Sequence, residues 1–235
     1  MLTFLIREPI VPSWNWYSLT TIIFVMLSMA ASRRLTGKWY PSFLPSIVSF
    51  SALLLLSLID IAFQQEVFVL VATILFYSSL LGIYRLKITP GDETARALLN
   101  TAALASLFFT YSAAYGLYLN YTVPVAVLML VFFLATAIAT FQTLFWVGKD
   151  DVRAVFLSSV ALGAVMGELI WIVHFWPFGY LTVGAAMLLF FYGLWRHILD
   201  LLRNTATLKR TLLESTILLL LLGLLLATSP WRMRG

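Results

Sequence analysis

The 235-residue sequence has no cysteine, which excludes disulfides, thiolate zinc sites, iron–sulfur ligation and thiol nucleophiles together. Charge is scarce: Asp, Glu, Lys and Arg make up 11% of the chain, against roughly a quarter in ordinary soluble domains. Histidine occurs only at His174 and His197, and lysine only at Lys38, Lys87, Lys149 and Lys209. What fills the chain instead is apolar, with 62% hydrophobic residues in runs that approach the roughly 20 residues a spanning helix needs. The sequence is that of an all-α integral membrane protein. Its short connections leave no room for a soluble catalytic or binding domain.

Apolar runs bounded by charge or turn residues predict eight transmembrane helices, near 16–31, 43–63, 67–84, 97–119, 122–147, 154–175, 179–199 and 211–229, in one compact bundle. Residues 1–13, broken by Pro9 and Pro12, read as an interfacial segment. The basic residues fix an orientation, because cytoplasmic loops retain Lys and Arg. Arg33, Arg34 and Lys38 fall in the first loop, Arg85, Lys87 and Arg96 in the third, Lys149 and Arg153 in the fifth, and Arg196, Arg203, Lys209 and Arg210 in the seventh. The second, fourth and sixth loops have none, so both termini are expected on the outer side of the membrane. The net charge of +5 is explained by these helix ends, and nucleic acid is not implied as a partner.

Arg96, Arg153 and Arg210 recur every 57 residues, each just before an even-numbered span. Two explanations compete: duplication of a helical hairpin, or the length that two spans and two short loops impose anyway.

Known membrane chemistries find no signature. All four lysines lie in loops or at helix ends, whereas a retinal-binding lysine sits inside a helix, and the two histidines lie near opposite faces, where they could not share a haem. The stretch Gly91-Asp92-Glu93-Thr94-Ala95-Arg96 resembles the Asp-Gly-x-x-Ala-Arg of phospholipid-synthesising alcohol phosphotransferases, but the further aspartates of that motif do not follow. It reads as a helix start, with Asp92 and Glu93 favourably placed near the N-terminus. The sequence assigns no catalytic residue, metal site or cofactor, and an enzyme is the less favoured class.

One ionisable residue lies well inside a span. Glu168 stands past the middle of the sixth, and an ionisable group at such depth suggests function. Ser159, Gly163 and Gly167, at intervals of four, form a small-residue packing face on the same helix. Tyr111 and Tyr115 in the fourth span reach a similar depth, so an outward-facing pocket of Glu168, Tyr111 and Tyr115, with His174 and Asp60 at its mouth, is the candidate ligand site. Glu214, one turn after Arg210, is expected to pair with it.

The C-terminal third, from Gly167-Glu168-Leu169-Ile170-Trp171 through Trp195-Arg196-His197 to Thr228-Ser229-Pro230-Trp231-Arg232, resembles uncharacterised multi-pass bacterial membrane proteins. That resemblance implies a prokaryotic cytoplasmic membrane and supplies no catalytic residues. Three functions compete. The first is binding or transport of a small or lipid-like ligand at Glu168, and the second is an accessory or scaffold subunit packed against other membrane proteins or its own copies. The third is an enzyme of lipid or envelope precursors using Glu168 and His174 as acid and base.

Overall fold

The computed structural model describes residues 14–36, 43–89, 91–145, 152–202 and 208–229. These form eight α-helices: α1 (Trp14–Thr36), α2 (Phe43–Leu56), α3 (Ala62–Ile88), α4 (Glu93–Asn120), α5 (Val125–Phe145), α6 (Val152–Val173), α7 (Tyr180–Leu202) and α8 (Leu208–Thr228). Six of them, α3 to α8, are long and apolar enough to cross a membrane. The predicted interfacial segment 1–13, the basic residues Lys38, Lys149 and Arg203, and the C-terminal Arg232 and Arg234 lie outside the described residues.

The largest departure from the predicted spans is the second, expected over 43–63. The helix α2 ends at Leu56 because the chain tightens: the N–H groups of Leu58 and Ile59 bond the carbonyls of Leu55 and Leu56, three residues back. Gln65 Nε2 then donates to the Ile59 carbonyl at 2.5 Å, holding the turn before α3. Apolarity does not mark such a stop, since Leu58, Ile59, Ile61 and Phe63 continue the hydrophobic run.

The chain divides into two compact units, Met1–Phe109 and Thr110–Gly235. In the first, α1 meets α2 through small residues, with Ser28 Oγ donating to Val25 O at 2.7 Å and lying 3.3 Å from Ser46 Oγ. Close approach of α3 to α4 needs Gly82, whose absent Cβ would stand 3.0 Å from the Ala95 carbonyl oxygen. Asp92 ends this connection twice over. Its Oδ2 pairs with Arg85 at 2.7 Å, and its Oδ1 caps α4 by accepting the Ala95 N–H at 3.1 Å.

In the second unit α5 is the common neighbour. It reaches α4 through Tyr111 and Thr136, whose hydroxyls lie 2.6 Å apart, and through the stacked rings of Tyr111 and Phe132, centroids 4.4 Å apart. It reaches α7 through Trp195 Nε1, which donates to Thr143 Oγ1 at 3.1 Å. Against α6 it packs backbone to backbone. A Cβ on Gly163 would lie 2.8 Å from the Phe133 carbonyl oxygen, and one on Gly167 would lie 3.2 Å from that of Met129.

Candidate functional site

The geometry of α6 decides what its polar residues can do. Val155, Ser159, Leu162, Gly163, Met166, Gly167, Ile170 and Val173 are buried, and they form one continuous face. At about 100° per residue, Glu168 lies nine steps and so about half a turn round from Ser159. It is exposed, outside the buried face and turned about 100° from Gly167 and about 140° from Gly163. Among the described residues it has no hydrogen bond or ion pair.

The tyrosines expected beside Glu168 are engaged elsewhere. Tyr111 and Tyr115 are both fully buried. Tyr111 is occupied by Thr136 and Phe132, while Tyr115 donates its hydroxyl to the His174 carbonyl at 3.4 Å. His174 sits in the turn after α6, half-buried, with Nδ1 on the Trp171 carbonyl and the Tyr118 ring edge-on to it at 6.2 Å. The structure thus gathers Tyr115, Tyr118 and His174 at the end of α6 and leaves Glu168 on the other face. Asp60 is exposed in the turn between α2 and α3. For acid–base chemistry shared by Glu168 and His174 the arrangement is poor, since one side chain faces out and the other is held against its own turn.

A second polar cluster, which the sequence reading did not assemble, lies where α7 meets α8. Arg196 stands between two carboxylates, 3.8 Å from Asp200 and 3.5 Å from Glu214. Asp200 is buried, and beside the cluster Ser215 Oγ lies 3.4 Å from His197 Nε2. Glu214 therefore takes its partner from the neighbouring helix; the side chain of Arg210, its expected partner, lies outside the described residues. Part of the signal was present: Arg196 and Asp200 are one turn apart on α7, and the α7–α8 connection is short enough to make the two helices neighbours, but which faces meet is not given by spacing. The cluster ties α7 to α8 through one cation shared by two carboxylates, and no group of three or more metal-ligating side chains occurs among the described residues.

No curated protein and no solved structure matches the chain significantly. A family model described as a protein of unknown function (DUF5656) matches residues 16–229, far beyond the C-terminal third on which the sequence resemblance rested. The match runs from α1 to the end of α8, and the chain is a member of that family of unknown function.

Proposed function

We propose that this multi-pass membrane protein works by associating with protein inside the bilayer, as an accessory or scaffold subunit. The observation that carries the reading is Glu168, an unpartnered carboxyl on an outward apolar face. A carboxyl facing hydrocarbon is costly enough that it is normally turned inward or paired. The direction of the helix adds to this. Side chains lean toward the helix N-terminus, so the Glu168 carboxyl is directed away from the near end of α6, which lies five residues on at Val173. It cannot easily reach the membrane surface that is closest to it.

A small or lipid-like ligand held between Glu168, Tyr111 and Tyr115 is the second reading. It has less support, because the two tyrosines are buried and hydrogen-bonded while Glu168 faces the other way. We further propose the topology read from the basic loops: eight crossings, both termini outside, in a prokaryotic cytoplasmic membrane.

The association reading is tested by a photo-crosslinking amino acid at Ala164, one turn from Glu168, with Leu134 on the exposed face of α5 as the control site. Irradiation in native membranes should give a protein adduct from position 164 and none from 134. Adducts to lipid alone at both positions would overturn the association reading.

A further inference from the structure

The geometry points to a buried water-binding site between Thr136 and Thr140 of α5, beside the Tyr111 hydroxyl of α4. The water joins the Thr140 hydroxyl to the Tyr111–Thr136 pair and completes a hydrogen-bonded line inside Thr110–Gly235.

Thr136, Thr140 and Thr143 follow one another at intervals of four and three, which puts them on one face of α5. All three are buried, Thr136 and Thr140 fully. The outer two are matched across helices. The hydroxyls of Thr136 and Tyr111 lie 2.6 Å apart, and Thr143 Oγ1 accepts the Trp195 Nε1–H at 3.1 Å. Thr140 stands between them, and among the described residues its Oγ1 has no hydrogen-bond partner.

Other hydroxyls in the helices behave differently. Thr73, Ser78, Thr136, Ser159 and Thr216 each donate to the carbonyl four residues back, at 2.6–2.8 Å. Ser112 Oγ also lacks a partner, but it is packed against Gly184, in the place that a Cβ of that glycine would take. Thr140 has polar neighbours on its own face instead. A buried hydroxyl left unbonded is costly, and an internal water is the usual answer where two or more polar groups are within its reach.

The neighbours set what the bound molecule must do. Thr136 Oγ1 donates its proton to the Phe132 carbonyl at 2.6 Å, so Tyr111 is the donor in the Tyr111–Thr136 pair. Both oxygens then offer only lone pairs, while Thr140 still has a proton to give. The molecule between them has to accept from Thr140 and donate to Thr136 and Tyr111. Water does both. An anion cannot donate, and a metal cation cannot accept and would find no Asp or Glu on α5 to balance its charge. The spacing agrees: four residues rise about 6 Å, the span of two hydrogen bonds of about 2.8–3.0 Å through one water.

X-ray radiolysis in heavy-oxygen water tests the site on the full chain in mild detergent, because hydroxyl radicals born from a bound water label the side chains beside it even where bulk solvent is excluded. Tyr111 and Phe132, both fully buried, should take up the heavy oxygen, whereas Met166, equally buried on α6 and more reactive, should not. Thr140→Val removes the donor that holds the water, and labelling of Tyr111 and Phe132 should fall to the level of Met166. Thr140→Ser keeps the hydroxyl and should keep the label. Tyr111 and Phe132 no more labelled than Met166 in the parent chain would overturn the inference without recourse to any variant. Labelling undiminished in Thr140→Val would overturn it equally, since the oxidant would then come from elsewhere.

Discussion

At the scale of single residues, glycine divides into positions with and without space for a methyl group. The missing Cβ of Gly163 would meet the Phe133 backbone oxygen at 2.8 Å, that of Gly167 would meet Met129 O at 3.2 Å, and that of Gly223 would meet nothing within 4 Å. Backbone oxygens in a helix cannot step aside as a flexible side chain can. Gly163→Ala should therefore destabilise the α5–α6 pair by about 1–3 kcal/mol, typical of overpacking. Gly167→Ala should cost less, and Gly223→Ala should be neutral or slightly stabilising because alanine is the better helix former. Thermal unfolding in mild detergent checks the order; equal losses at all three would contradict the close contact. Arg196 is a residue-scale case of a different kind. Removing it leaves Asp200 and Glu214 near each other without their cation, so Arg196→Ala should cost about 2 kcal/mol, below the range for fully buried pairs because the side chains keep some water. Asp200→Asn should cost less, since Glu214 still faces the arginine.

At the scale of elements, α5 is the common neighbour in Thr110–Gly235, and its threonines join it to α4 and α7. Thr143→Val should leave the buried Trp195 N–H without its acceptor and cost about 1 kcal/mol. Tyr111→Phe should cost less, because Thr136 Oγ1 also lies 2.6 Å from the Phe132 carbonyl and keeps that bond. Comparing the two variants by chemical or thermal unfolding tests whether α5 holds α7 more firmly through its side-chain bonds than it holds α4. The element scale is also where the sequence was most and least legible. Long apolar runs with short polar breaks give helices 3 to 8 to within a few residues, and the four-residue spacing of Ser159, Gly163 and Gly167 identifies a close-contact face. Counting residues along a span gives height, however, and not azimuth. Glu168 and Tyr111 stand at similar height, and that alone suggested a shared pocket. The nine steps from Ser159 to Glu168 already imply opposite sides of one helix, a signal available in the sequence and stronger than the depth match. The partner of Glu214 was not legible in the same way, since it depends on which faces of α7 and α8 meet.

For the whole molecule, the question is how a helix as short as α2 fits the proposed eight crossings, beside six helices long and apolar enough to cross a membrane. Its 14 residues extend about 21 Å at 1.5 Å per residue, short of a hydrocarbon core about 30 Å thick. A helix packed in protein need not match that thickness, and α2 is of this kind: Leu44, Pro45, Ser46, Val48, Ser49, Ser51, Ala52 and Leu55 are all buried. Its hydroxyls bond within the helix or to α1, with Ser49 Oγ on Pro45 O at 2.8 Å and Ser51 Oγ on Val48 O at 3.2 Å. Charge parity supports a full crossing. If α2 turned back, Arg33 and Arg34 at the end of α1 would share a side with the acidic Asp60 and face away from Arg85 and Lys87 at the end of α3. Basic residues would then flank both membrane surfaces, against the usual retention of positive charge on one. Single cysteines at Arg34, Asp60 and Lys87, all exposed, separate the alternatives with a membrane-impermeant thiol reagent. Positions 34 and 87 should be protected in intact cells and react only after permeabilisation, while position 60 reacts at once. Reaction of 34 together with 60 would mean that α2 enters and leaves on one side, and the eight-crossing topology would fall with it.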